Sequence, residues 1–339
     1  MYLEFYNLAD MPFQLTPDGR FFFGSEQHRK AMAFLNYGIS QGEGFVVVTG
    51  EVGAGKTTLV EHLLATLDPN EYVCGRIVTT QLGSYDMLCM IGSALGVFRE
   101  GMDKATVLIR VTQYISDMHN QGKRVLLIVD EAQSLTTEAV EELRMLSNIV
   151  VGHIAPFQGI LLGQPEFRSV LSSTGLEQFR QRVTASYHLG ALTESDTKRY
   201  IEHRLSHVGW VNDPSFSDAA FRQIHKQTSG IPRRINTLCS RLLLLGFLEE
   251  KHQITEEMVS SVAAEMLMEL GGTPAGSGVA LSSASSLRTG GRPLKAANDE
   301  GGQDSRLARL EERVDRHDRA INRAFEIALR YLPSLGDNH

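Results

Sequence analysis

Cysteine is scarce: three in 339 residues, with no C-x-x-C pair among them. Cys74, Cys89 and Cys239 are widely spaced, and no histidine pattern accompanies any of them, so they read as reduced packing residues rather than a disulfide framework or a nucleophile. Long apolar runs are missing too. The longest, residues 242–248, is far shorter than the ~20 residues a membrane helix needs, so no transmembrane segment is expected. The N-terminus, Met1-Tyr2-Leu3-Glu4-Phe5, has no basic stretch ahead of an apolar one, which argues against a secretory signal. No internal repeat is evident. Charge of one sign is also lacking: 33 Lys and Arg stand against 40 Asp and Glu, a net charge of −7 that excludes polyanion binding by bulk charge alone. With 42% apolar and 22% charged residues, the expectation is an ordinary globular protein of the cytoplasm.

What is present is local and specific. An apolar run at residues 45–48 leads into Gly50-Glu51-Val52-Gly53-Ala54-Gly55-Lys56-Thr57-Thr58 and then a helical pattern at 59–67. Strand, glycine-rich loop and helix in that order form a phosphate-binding loop. Its glycines let backbone N–H groups converge on phosphates at a helix N-terminus. Lys56 then reaches the terminal phosphates, and Thr57 offers its hydroxyl to Mg2+. A second motif, Val125-Leu126-Leu127-Ile128-Val129-Asp130-Glu131, ends an apolar strand in two carboxylates. Burying both would be costly without a cation. Asp130 is the expected partner of Mg2+, through water, and Glu131 the base that activates water. The expected cofactors are ATP and Mg2+. Gln164, at the end of a later strand (159–162), falls at the same edge of a parallel sheet and can reach a γ-phosphate or the lytic water.

Further strands are expected at 73–78 and 125–129, and helices at 84–95, 104–119 and 138–146. Apolar positions Val107, Leu108, Val111, Ile115 and Met118 mark one face of the 104–119 helix. This alternation predicts an α/β fold with a parallel sheet covered on both faces. From Thr193 the strand signal vanishes, and helices are expected at 194–207, 218–229, 232–247 and 255–270. The domain reading is 1–190 α/β, 191–270 helical lid, 271–305 flexible linker, and 306–332 a charged helix with near-heptad apolar spacing.

Taken in order, Gly50 to Thr57, Asp130-Glu131-Ala132-Gln133, Gly163-Gln164-Pro165-Glu166, Gln181-Arg182-Val183 and Gly230-Ile231-Pro232-Arg233-Arg234-Ile235-Asn236 resemble an AAA+ ATPase. The likeness is to the branch holding the type II secretion A-component and transposition ATPases. The early run Phe5-Tyr6, Leu8, Pro12-Phe13, Leu15, Pro17-Asp18 and Phe22-Phe23 is similar to ATPases of exosortase (PEP-CTERM) exopolysaccharide systems. The resemblance covers roughly residues 1–270. It implies that Gln164 is the sensor 1 residue, and that Arg182, with Arg180 as the alternative, is an arginine finger reaching a neighbouring copy. It also implies that Arg233 is the lid's sensor 2, and that Phe22 or Phe23 covers the adenine. A homo-oligomeric ring or filament follows, and a protein partner in secretion or polysaccharide export docking through 306–332, at the inner membrane where that partner sits. Secretion A-components continue into a transmembrane helix and a wall-binding domain, of which this sequence shows neither. From Lys198 to Arg241, eight Lys and Arg face three acids, which keeps a DNA-bound regulator as a disfavoured alternative. A nucleotide-gated scaffold with little turnover is the other. His203 and His207 share a helix face, but no third metal ligand accompanies them.

Overall fold

The structure, a computed structural model, describes residues 2–16, 19–78, 83–173 and 175–269. The expected linker and C-terminal helix lie outside the described residues. Five parallel strands, β1 (Gly44–Gly50), β2 (Tyr72–Val78), β3 (Arg124–Asp130), β4 (Phe157–Gly163) and β5 (Val183–Leu189), form one sheet in the order β2-β3-β4-β1-β5. The three central strands are apolar on both faces because both are covered. Phe45, Val47, Val125, Leu127 and Val129 face one core, whereas Val46, Val48, Leu126 and Ile128 face another.

The helices in chain order are α1 (Tyr2–Phe5), α2 (Glu26–Gln41), α3 (Lys56–Thr66), α4 (Ser84–Ala94), α5 (Lys104–Asn120), α6 (Thr137–Leu146) and the short α7 (Phe167–Ser172) and α8 (Glu177–Arg180). After them come α9 (Glu194–Ser206), α10 (Asp218–Thr228), α11 (Pro232–Leu248) and α12 (Glu256–Glu269). The expected α5 stripe is real: Val107, Val111 and Ile115 are buried, with Leu108 and Met118 packed beside them. Helix starts follow capping chemistry. Asp103, Thr136, Thr193 and Ser217 each accept a hydrogen bond from a backbone N–H in the first turn of α5, α6, α9 and α10, and α11 opens on Pro232.

Three expectations need correction. The strand β5 is absent from the sequence reading. It is an edge strand with only Ala185 and Leu189 buried, so its sequence carries no apolar run. Strand structure also does not stop at Thr193, because β6 (Ser215–Phe216) and β7 (Gln253–Ile254) pair in parallel within the helical region. Finally, most of the opening residues pack with the helical region, although Phe22 lies against the α/β core. Tyr6, Leu8, Phe13 and Phe21 are buried in one cluster with Leu192, Ile201, Ile224, Ile235, Leu242 and Val259. Tyr6 Oη donates to Lys251 O at 2.9 Å. The segment joins a core that already holds Tyr200 and Phe221, with Trp210, Phe216 and Phe247 packed against it.

Candidate active site

The strand order sets the site. With β4 between β3 and β1, the C-terminal ends of three adjacent strands bring Asp130 and Glu131, Gln164, and Gly50 into a row at one sheet edge. After Gly50 the chain turns through Gly53 (φ +82°) and Gly55 (φ +98°), left-handed conformations that glycine adopts without strain. α3 then begins at Lys56. Its N-cap, Gly55, supplies no side-chain cap, so the first N–H groups of the helix point out as an anion site.

Lys56 is 8% exposed and folded back on its own loop, donating to Gly50 O at 2.6 Å and Glu51 O at 3.0 Å. Burial lowers the pKa of its ammonium group; the nearby Glu131 and Asp130 charges act against that. Thr57 Oγ1 donates to Asp130 Oδ2 at 2.9 Å, and Arg76 Nη2 lies 3.6 Å from the same oxygen. A hydroxyl and a carboxylate this close, both hard oxygen donors beside a phosphate loop, suit Mg2+ completed by water and phosphate. Among the described residues there is no group of three or more His, Cys, Asp or Glu able to hold a metal by itself.

Glu131 stands in the left-handed region (φ +55°). Its Oε2 accepts from Gln133 Nε2 at 2.5 Å and from Gln164 Nε2 at 3.2 Å. Burial disfavours its charge, but those two donors and Lys56 outweigh it and hold the carboxyl below its ordinary range.

A cleft of about 1040 Å3, counted with its open mouth, runs from this edge to the helical region. Of the expected residues, Val52, Gly53, Gly55, Lys56, Thr57, Thr58, Asp130, Glu131 and Arg233 line it, as do both Phe22 and Phe23. Gly50 and Glu51 contribute the carbonyls that hold Lys56, and Ala54 is buried beneath the loop. Gln164 stands behind Glu131. Arg233 joins the two halves, its backbone N–H donating to Gly53 O at 3.2 Å.

Arg182 is elsewhere. It precedes β5, beside Phe45 at the entry of β1, and Phe45 N donates to its carbonyl at 2.8 Å. A strand of this length spans about 20 Å, so its own phosphate loop lies at the opposite sheet edge. Arg182 Nη2 donates to Asn148 Oδ1 at 2.5 Å. The alternative, Arg180, is tied to Leu171 O at 2.7 Å and Ser173 O at 3.1 Å and pairs with Glu177.

Several cleft residues escape sequence reasoning. His62, at the border of the cleft, stacks on the expected Phe22 with ring centroids 4.1 Å apart. His28, 6% exposed, hydrogen-bonds through Nδ1 with Ser25 Oγ at 2.7 Å and lies under Gly55. Arg204, also 6% exposed, donates to Pro12 O at 2.7 Å and to Tyr200 Oη at 2.7 Å. Tyr200 Oη donates on to Asn236 Oδ1 at 2.8 Å, and Asn236 Nδ2 to Gln14 O at 3.2 Å. The helical spacing of these residues reads only as core, and nothing local marks them as cleft residues.

Residues 39–171 match the family described as an AAA domain. The chain is 37% identical over 296 residues to General secretion pathway protein A of Aeromonas hydrophila, a match covering 86% of this chain and 53% of that protein. The chain thus spans about half the length of the curated relative it matches. Cdc6p from Pyrobaculum aerophilum superposes with a TM-score of 0.57 at 13% identity, over 78% of this chain and 70% of that one. The ADP form of the Aeropyrum pernix ORC2 protein does so at 0.54 and 17%, over 78% and 72%. At such identities these two speak to fold alone, and the fold is the P-loop AAA+ class: a parallel five-stranded sheet with helices, followed by a helical region.

Proposed function

We propose that this chain, which belongs to the AAA+ ATPase family of General secretion pathway protein A, is a Mg2+-dependent ATPase that drives or regulates a secretion or exopolysaccharide-export assembly. The observation that carries the reading is the meeting of Lys56, the Thr57–Asp130 contact at 2.9 Å and Glu131 at the mouth of one loop. The loop N–H groups and the start of α3 cradle the phosphates. Lys56 exchanges its two carbonyl partners for phosphate oxygens, and Arg233 carries the helical region onto the nucleotide. Thr57 and Asp130 would hold Mg2+, whose charge offsets that of the phosphates. Glu131, kept ionised by its neighbours, takes the proton of the attacking water, which Gln164 helps to place.

Arg182 acts on a neighbouring copy, because its own cleft is out of reach and Arg180 is bound to its own segment. A ring or filament follows. The secretion assignment rests on the 37% relative. The exopolysaccharide branch rests on the early aromatic motif, several of whose residues fill the helical core and so report on packing as much as on cargo. The basic surplus of the helical region is partly spent internally: Lys198 pairs with Asp218, Arg199 with Asp196 and Arg241 with Glu269. That supports a protein partner over DNA.

The test uses the full chain and measures nucleotide affinity and single-turnover hydrolysis separately. Glu131→Gln retains ATP binding and slows hydrolysis ~10²-fold or more. Arg182→Ala also retains binding and loses turnover. Mixing the two restores part of the activity, since an intact Arg182 then faces an intact Glu131. Wild-type hydrolysis by Glu131→Gln, or mixtures no better than either variant, overturns the assignment.

A further inference from the structure

Gln133 has no role in the reaction as described, yet it closes a ring of hydrogen bonds behind the reacting groups. Its Nε2 donates to Glu131 Oε2 at 2.5 Å, while its Oε1 accepts from the backbone N–H of Gln164 at 2.9 Å. Gln164 Nε2 returns to the same Glu131 oxygen at 3.2 Å. One primary amide therefore links the residue after β3 to the residue after β4. It sits in the short 3-10 turn Ala132–Ser134, which follows directly on Glu131.

We propose that Gln133 is a positioning residue that couples Glu131 to the tip of β4, so that the carboxylate and Gln164 shift together when a terminal phosphate enters. The inference rests on the ATPase reading above for its effect on turnover, but the coupling itself does not. Two arguments carry it. Glu131 occupies a left-handed backbone conformation that costs a non-glycine residue free energy and persists where the surroundings over-determine it. The Gln133 bond supplies such a constraint two residues away. The second argument is the shared oxygen. Gln164 Nε2 carries two N–H donors, so it can keep Glu131 on one and turn the other to a phosphate oxygen, and a pull on that amide then acts on Oε2 as well. Gln133 holds the same oxygen from the other side. Its other end is fixed to the Gln164 main chain, so any displacement of that tip is passed to the carboxylate. Glutamine has the length and the two-sided amide for this; a carboxylate at 133 would meet Glu131 as a like charge, and an apolar side chain would link nothing.

The test compares the full-length wild type with Gln133→Met, which keeps the length and deletes both polar ends, and Gln133→Glu, which keeps only the acceptor for Gln164. Amide hydrogen exchange at Gln164 in the nucleotide-free protein reads the link without any turnover. Exchange is expected to accelerate in Gln133→Met and to remain nearer wild type in Gln133→Glu. Single-turnover hydrolysis is expected to fall ~10-fold or more in both, while nucleotide affinity stays within about 3-fold, the pattern of lost transition-state alignment rather than lost binding. Combining Gln133→Met with Gln164→Ala is expected to cost little more than the worse single change, because the pair acts as a unit. Unchanged exchange at Gln164, rate losses that multiply, or affinity falling as far as the rate overturns the proposal. A wild type that binds but does not hydrolyse ATP refutes the ATPase reading, and the exchange result still decides the coupling.

Discussion

One wall of the cleft comes from a single stretch, residues 50–58, backed by the end of β3. The facing wall is assembled from residues 14–16 and 21–23, from Tyr200 and Arg204 on α9, and from Arg233 and Asn236 on α11. The first is held by a β-ladder and a helix start. The second is held by side chains reaching across the chain: Arg204 to Pro12, 192 positions apart, and Asn236 to Gln14, 222 apart. The contrast separates chemistry from closure. The phosphate wall is determined locally and stands ready, whereas the helical wall exists only once distant segments have met around Arg204, whose guanidinium lies 4.7 Å above the Phe21 ring.

The sharpest way to break the pairing of the walls is at their junction. A Cβ on Gly53 would lie 2.3 Å from Arg233 Cβ, and the position has φ +82°. Gly53→Ala is expected to push the helical region off the loop and weaken nucleotide affinity ~30-fold or more, combining a left-handed penalty of about 1–2 kcal/mol with loss of the Arg233 contact. Isothermal titration with a non-hydrolysable analogue checks this, and wild-type affinity would show that the junction is slack. A smaller effect is expected when only the helical wall is loosened. Arg204→Met keeps the aliphatic packing and removes two buried hydrogen bonds, lowering stability to urea by about 1–2 kcal/mol. Affinity should fall while the single-turnover rate at saturating ATP is kept. A rate loss as large as the affinity loss would place Arg204 with the phosphate wall instead.

The smallest effect probes what lies beneath the loop. Burial drives the His28 imidazole down to about 4 from its ordinary 6.5. In that window the unfolded chain takes up a proton that the folded chain refuses. The stability His28 permits is therefore complete above pH ~6.5 and is lost as the pH falls toward ~4. Between about pH 7.5 and about pH 5.8 the wild type is expected to lose about 1 kcal/mol more stability than His28→Gln. Urea midpoints at the two pH values measure it, and parallel losses would mean that other groups dominate.

Legibility in the sequence follows the same division. The loop, Asp130-Glu131 and the apolar strands β1, β3 and β4 could be read because their signals are contiguous and their burial is two-sided. β5 could not, since an edge strand with Thr184, Ser186 and His188 carries no apolar run. Nor could the placement of Tyr6 and Phe13 within the helical core, because an aromatic segment says that it will be buried and not against what. Gln133 stood in plain view within Asp130-Glu131-Ala132-Gln133. Its partner Gln164 is 31 positions away, and only the adjacency of β3 and β4 brings them together.

On the role proposed for Arg182, its position at the entry of β5, with the phosphate loop at the exit of β1, would give each copy a plug at one end and a socket at the other. Copies joined through that contact would make a heterologous assembly with a direction. In an open row every socket but one would be filled, and the terminal copy would keep its nucleotide while those behind it turned theirs over. Such a row would carry a cap that marks its newest or oldest member, and closing into a ring would erase the mark. Nucleotide content along the assembly would then tell an open row from a closed one.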